Sequence, residues 1–361
     1  MTTTTTPSIP STMRAWQYTS VPSTLESSLS LNPSASLPPT ASSLAPNTTL
    51  VRVAYTALNP VDYKVPEAPL LARILTFRRP GVPCLDYSGV VVRTTRSDLK
   101  PGDRVFGKLE PPMYGAAAEY LVVGAQGCAK LPEGVSFEQA AGVGVAGLTA
   151  WQCVAPFLDE AKKARAADAG PLRVFINGGS GGTGTFGVQI AKALGAYVAT
   201  TCSGGNAEFV RELGADEVID YRSQDVVARL AELAEKDGVF DLAVDNVGGA
   251  TPLYFEGHKY LASHAKFVNV GAQPGIQTVV DMVKTFMTPA MLGGGQRTYK
   301  FVTCTTNAEQ FVEIAQLMQQ GKVKTVVERS VKMEEIKEAF ERLKTGRVRG
   351  KILVKIADLG K

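Results

Sequence analysis

Histidine is almost missing from this chain. Of 361 residues only His258 and His264 carry an imidazole, and both stand late. Metal or triad chemistry that needs a histidine in the N-terminal half is thereby excluded. The five cysteines, Cys84, Cys128, Cys153, Cys202 and Cys304, are scattered and form no CxxC pair. This speaks against a disulfide framework or a zinc knuckle and for reduced thiols. Excess charge is also scarce. The 38 basic and 34 acidic residues leave a net +4, too little for a nucleic-acid or membrane footprint. The one long uncharged apolar stretch, residues 140–158, contains Thr149, Gln152 and Pro156. It is expected to be a buried loop and helix rather than a membrane span. No Lys or Arg occurs between Arg14 and Arg52, and the start, MTTTTTPSIPST, has no apolar core. Residues 1–12 are expected to be a disordered tail rather than a secretory signal or transit peptide, and the location cytoplasmic.

What is present is ordinary globular material, 45% hydrophobic and 20% charged, long enough for two domains. Residues 14–18, 50–54, 86–93, 100–106 and 118–123 read as short strands between Gly/Pro turns. A Ser/Pro-rich loop with one short strand is expected over residues 21–47. The pattern changes near Phe137. Strands at 173–177, 197–201, 217–220, 241–245, 266–270 and 301–303 alternate with helices at 185–194, 207–213 and 226–236. That alternation is the mark of a doubly wound parallel sheet. A closing helix (308–320), strand (323–330), helix (333–345) and strand (351–356) are expected to complete the first domain. The expected division is residues 1–143, 144–304 and 305–361.

The strongest local signal is Asn177-Gly178-Gly179-Ser180-Gly181-Gly182-Thr183-Gly184, in which Gly179, Gly181 and Gly184 satisfy G-x-G-x-x-G. It follows a strand and opens a helix, the setting a dinucleotide site requires. Glycine permits the positive φ of a tight turn and lets a diphosphate reach bare N–H groups at a helix N-terminus. A glycine-rich turn without a ligand is the plainer alternative. An NAD site commonly holds the ribose 2′-hydroxyl with an acid at the end of the second strand. Here that strand runs into Cys202-Ser203-Gly204-Gly205-Asn206, with no carboxylate. Ser203 and Asn206 are suited to a 2′-phosphate, which favours NADPH, although no Arg or Lys in this loop neutralises that charge.

Further segments are Ala57-Leu58-Asn59-Pro60-Val61-Asp62-Tyr63-Lys64, residues 145–150 (VAGLTA), 213–221 (LGADEVIDY), 321–326 (GKVKTV) and 350–352 (GKI). On these the chain, over residues 13–356, resembles the zinc-free quinone oxidoreductase branch of the medium-chain dehydrogenase/reductases. It is similar there to the chloroplast-envelope quinone oxidoreductase homologue and to trans-acting enoyl reductases. The resemblance implies an α/β protein, a Rossmann domain plus a β-rich GroES-like catalytic domain. The family's zinc enzymes need a Cys, a His and a nearby acid. The equivalent stretch here is Pro83-Cys84-Leu85-Asp86-Tyr87, with Leu85 where the His would stand, and the four-Cys structural lobe is absent. No catalytic zinc is therefore expected.

Without a Lewis acid, hydride from NADPH is expected to add to a conjugated enone, enoyl or quinone substrate, the protein orienting it and stabilising the enolate oxygen. The candidates for direct chemistry are Asn59, Tyr63, Lys64 and Thr149. In the family the segment around Lys64 lines the nicotinamide pocket and the position of Thr149 lies beside it. Lys64 would supply charge to the enolate or orient the cofactor, and Tyr63 a phenolic proton. Each has a structural alternative: an Asn-Pro turn, a packed Tyr, a solvated Lys. The cofactor set is Gly179, Ser180, Gly181, Gly182, Thr183, Gly184, Ser203 and Asn206. By resemblance it adds Tyr221 near the adenosine phosphate, Asn246 and Val247 at the ribose, Val270 and Gly271 near the nicotinamide amide, and Lys351.

His258 and His264 are expected to be surface or packing residues in a helix and turn after Pro252. Residues 282–295, rich in Met and Gly, are either a flap over the substrate or a plain connection. The partner is expected to be a small molecule, without nucleic acid or membrane span, in a homodimer or monomer. The rival reading is an NADPH-binding protein with a structural or RNA-contacting role and little turnover.

Overall fold

The computed structural model describes residues 9–68, 80–110, 115–165, 170–249, 251–270, 284–285, 288 and 293–360. The chain divides into two compact units. One comprises Met1–Leu148, Thr305–Gly321 and Thr325–Lys361, the other Thr149–Cys304 and Lys322–Lys324.

The second unit is built on six strands in the spatial order Glu217–Asp220, Tyr197–Cys202, Arg173–Asn177, Phe240–Asp245, Leu261–Asn269 and Thr298–Phe301. All neighbours are parallel. This is the doubly wound order, in which the chain reverses direction across the sheet after its third strand. The switch point falls between Arg173–Asn177 and Phe240–Asp245, where Asn177 is the register partner of Asp245. Every residue of Phe240–Asp245 is buried, as a parallel strand covered on both faces requires. Helix Gly182–Ala193 starts within the glycine run and buries Gly184 to Ala191 without a break. Asp225 caps helix Val226–Asp237 through the Ala228 N–H at 3.0 Å. Gly238, at φ +98°, ends it. The expectation for His264 needs correction. It lies in strand Leu261–Asn269, its Nε2 3.3 Å from Asp241 Oδ1. Residues 261–265 (LASHA) carry no alternating or β-branched strand signal of their own. Leu261 pairs with Phe240 and Lys266 with Leu242, so residues 262–265 form an irregularity in the strand opposite Asp241 alone.

The first unit holds a seven-stranded sheet. Its order is Val327–Lys332, Lys351–Lys355, Thr48–Ala57, Asp86–Thr94, Arg104–Lys108 and Cys128–Lys130, with Tyr120–Gly124 also on Thr48–Ala57. Strand Thr48–Ala57 pairs along its length with Asp86–Thr94. Its other edge is shared by Tyr120–Gly124 at residues 48–52 and by Lys351–Lys355 at residues 55–57. The last strand of the chain is thus laid beside the turn that begins at Leu58. Strands Thr12–Gln17 and Ser30–Ser36 form a separate ribbon, and Trp16 Nε1 donates to Met333 O at 2.8 Å. Thr12, expected in the tail, is already paired with Ser36. The apolar stretch 140–158 becomes the end of helix Phe137–Ala141, a π-turn Val143–Gly147 and most of helix Leu148–Ala164. Among the described residues no helix is long and apolar enough to cross a membrane.

Candidate functional site

Within the second unit, the glycine run forms a cradle at the carboxyl end of strand Arg173–Asn177. Of its five glycines only Gly178 has positive φ, at +84°. The tight turn therefore sits one residue before the G-x-G-x-x-G triplet that the sequence singles out. Gly179 and Gly184 are bare because the fold leaves no room. A Cβ at Gly179 would lie 2.1 Å from Thr200 Oγ1, and one at Gly184 2.0 Å from Gly178 O. Gly181 is different. Its φ is an ordinary −79°, and the nearest atom to an added Cβ would be Gly178 O at 3.8 Å. Nothing among the described residues requires Gly181 to be bare. Helix Gly182–Ala193 begins here, so Gly182, Thr183 and Gly184 present first-turn N–H groups without intrahelical acceptors.

Ser180, Ser203 and Asn206 converge beside the cradle. Asn206 Nδ2 lies 3.4 Å from Ser180 Oγ and 3.3 Å from Ser203 Oγ. Sequence reading found no acid in this loop, but the fold brings one alongside: a Cβ at Gly204 would fall 2.6 Å from Asp220 Oδ2. Tyr221, next in the chain, is 54% exposed. After strand Phe240–Asp245 comes Asn246, whose Oδ1 and Nδ2 are both shielded from solvent and without a hydrogen-bond partner among the described residues. A buried amide left open at both ends costs stability unless something completes it. Val247 is exposed, and the Val270 N–H is tied to Asp245 O at 3.0 Å. Gly271 lies outside the described residues, as do residues 69–79 and most of 282–295. The open cradle and the unsatisfied Asn246 amide fit a dinucleotide.

The first unit contains a buried polar cluster around Asn59. Asp86 accepts the Val145 N–H on Oδ1 at 2.7 Å and Asn59 Nδ2 on Oδ2 at 2.9 Å. Lys351 Nζ lies 3.4 Å from the same Oδ2, and it also donates to Leu58 O at 3.0 Å and to Asn59 Oδ1. A Cβ on Gly144 would meet Asp86 Oδ1 at 2.2 Å, so the π-turn can close over the carboxylate only with glycine there. Burial pushes the Asp86 carboxyl up, against the pull of Lys351 and its hydrogen bonds. Asp62 is pushed up as well, from 3.8 to about 8, by burial and by the charge of Asp86. One of its oxygens accepts the Asn59 N–H at 2.7 Å, while Oδ1 is buried and unpartnered among the described residues.

The four catalytic candidates separate in this geometry. Asn59 is buried, and its amide is held at both ends by Lys351 and Asp86. Tyr63 is half-buried under the Lys344 ammonium, 5.1 Å from its ring centroid, and Lys344 is itself paired with Glu26 and Glu67. Burial raises the Tyr63 phenol and so weakens it as an acid. Lys64 is half-buried, its pKa lowered by desolvation, and among the described residues it has no hydrogen-bond or ion-pair partner. Thr149, in helix Leu148–Ala164, is buried and opens the second unit. Lys351 has its three donor directions filled within the first unit. Sequence reading missed Gly178, Asp62, Asp245 and the placement of Asp220. Gly178 lies within the glycine motif and Asp62 within the segment Ala57–Lys64, while Asp86 stands at the acid position of the metal enzymes.

Known proteins carry the same architecture. A family model described as "Alcohol dehydrogenase GroES-like domain" matches residues 45–133, and one described as "Zinc-binding dehydrogenase" matches residues 213–354. The chain is 41% identical to the trans-enoyl reductase pgmF of Aspergillus terreus, over 96% of this chain and 97% of that protein. The chain belongs to the medium-chain dehydrogenase/reductases, in their zinc-free quinone oxidoreductase-like branch. It is 30% identical to the mitochondrial NAD(P)H oxidoreductase RTN4IP1 of Mus musculus, over 86% of this chain and 82% of that one. A solved quinone oxidoreductase from Coxiella burnetii superposes with a TM-score of 0.75 at 26% identity, covering 96% and 99% of the two chains. The chain is accordingly an oxidoreductase that uses a nicotinamide dinucleotide. The residues do not fit the zinc in the second model's description. The Lys351 ammonium already lies against the Asp86 carboxylate, where a second cation would be repelled. Among the described residues no group of three or more His, Cys, Asp or Glu could hold a metal ion.

Proposed function

We propose that the chain is an NADPH-dependent, metal-independent reductase that transfers hydride to a conjugated enone, enoyl or quinone acceptor. The observation that carries this reading is the cradle at Gly181, bare at the helix N-terminus although the fold does not demand it. A reduced nicotinamide, when bound, supplies the hydride. The N–H groups of Gly182, Thr183 and Gly184 receive the diphosphate, and the Asn246 amide gains its missing partners from the ribose side. Ser180, Ser203 and Asn206 donate to a 2′-phosphate, whose charge the nearby Asp220 opposes. Lys64 is assigned to the substrate oxygen that gains negative charge. Its ammonium has no other partner among the described residues, and its lowered pKa makes it the readier proton donor. Tyr63 and Thr149 are assigned as supporting donors. Asn59 and Lys351 act by holding the turn that leads to Lys64. The names of the relatives, a trans-enoyl reductase and a quinone oxidoreductase, support the acceptor class. Cytoplasmic location and a monomer or homodimer belong to the same proposal.

NADPH oxidation against conjugated enones, enoyl thioesters, quinones and saturated aldehydes tests the reading. Turnover is expected on the conjugated acceptors alone. Lys64→Met is expected to lower kcat by about a hundredfold and to leave NADPH affinity unchanged. Turnover confined to saturated aldehydes, or full kcat in the Lys64 variant, defeats the corresponding part.

A further inference from the structure

Asp245 ends the strand on one side of the switch point and is 1% exposed. Its Oδ1 accepts Asn177 Nδ2 at 2.8 Å, the Val247 N–H at 3.0 Å and the Gly248 N–H at 3.2 Å. Its Oδ2 accepts Asn269 Nδ2 at 3.1 Å. All four donors are neutral amides. A carboxylate can only accept, so Asn177 must turn its NH2 toward Asp245 and its oxygen away. That oxygen accepts the Thr201 hydroxyl at 2.6 Å. With its proton committed there, Thr201 Oγ1 offers a lone pair to the Gly178 N–H at 2.8 Å. The Gly179 N–H lies on Thr201 O at 2.9 Å. One negative charge therefore sets the polarity of a hydrogen-bond chain that ends on the positive-φ residue opening the cradle. The same carboxylate shapes the turn that carries Asn246 with its unsatisfied amide.

We propose that Asp245 is a positioning residue for the dinucleotide, holding the glycine turn and the turn at residues 246–248 in register across the switch point. This rests on the reading that the second unit binds NADPH. Asparagine at 245 would keep the shape but not the polarity. Asn177 could then flip, and Gly178 would lose its defined acceptor.

The test titrates full-length wild type, Asp245→Asn and Thr201→Val with NADPH, 2′-phospho-ADP-ribose and 2′-AMP, the last lacking a diphosphate. Asp245→Asn is expected to weaken the first two together by roughly tenfold to a hundredfold and to leave 2′-AMP binding unchanged. Thr201→Val, which cuts the chain at its middle, should give a smaller loss of the same pattern. If Asp245→Asn lowers only thermal stability, or weakens all three ligands equally, its role is structural and the proposal fails. Should that variant not fold, Thr201→Val decides, and wild-type NADPH affinity there overturns the proposal. A wild type that binds no NADPH overturns the cofactor reading, and this inference with it.

Discussion

Two buried carboxylates, one in each unit, solve the same electrostatic problem in opposite ways. Asp86 begins a strand and faces a buried lysine, with Asn59 and the Val145 N–H filling its remaining positions. Asp245 ends a strand and is held by four uncharged N–H groups. Around Asp86 the first network is closed, since cation, amide and carboxylate satisfy one another, and the one open atom beside it among the described residues is Asp62 Oδ1. The second is open. Its charge orients neutral groups and leaves the adjoining Asn246 amide without a partner among the described residues. A network that balances its own charge serves to hold a shape. The network at Asn246 stops one partner short, at the place where the proposal above puts the ribose.

The largest expected effect tests the closed side. Lys351→Met strands a fully buried carboxylate and should cost about 3–5 kcal/mol in urea unfolding. Adding Asp86→Asn should recover most of it, because the pair is removed together. Asp245→Asn in the unliganded protein should cost less, about 1–3 kcal/mol. Equal losses from Lys351→Met and Asp245→Asn would erase the distinction.

A pH series sharpens it further. Asp62 is protonated in the fold up to about 8 but has the ordinary 3.8 when unfolded. Between those values the folded state holds a proton that the unfolded state lacks. The Asp62 contribution therefore weakens as pH rises across that window. Asp62→Asn should flatten this slope, and a slope unchanged in the variant would show that Asp62 is ionised in the fold. The smallest effect belongs to a half-buried carboxylate outside both networks. Asp220→Asn should raise the preference for NADPH over NADH by about threefold, within the range of a screened charge contact. A fall in that preference would place the 2′-phosphate elsewhere.

Much of the second unit was legible in the sequence. Val174, Phe175 and Ile176 form an apolar run ahead of a glycine motif, and beyond the motif helices alternate with strands. Local pattern and tertiary structure agree there. Strand residues 261–265 were not legible, since they hold an irregularity in which 262–265 face the single residue between Phe240 and Leu242. In the candidate site, Asn59 and Lys351 were singled out separately. Their contact depends on an antiparallel pairing between the two ends of the chain, 292 residues apart. No local pattern reveals that their polar atoms are consumed by each other and by Asp86. The proximity of Asp220 to Gly204 likewise arises from two adjacent strands. The positive φ at Gly178 rather than Gly179 is a matter of one residue, below what spacing resolves.

The indifference of the fold to Gly181 has a consequence for descent. Gly184 is locked by the chain's own packing, so a mutation there is removed with the folded protein. At Gly181 a single codon change to a larger residue meets no atom of the fold closer than 3.8 Å and fills only the space where the proposal above puts a diphosphate. A duplicated gene could therefore shed its chemistry in one step and still yield a well-folded product, free to be recruited for other work. On that proposal, catalytic silence and structural integrity are separable by a single side chain at Gly181.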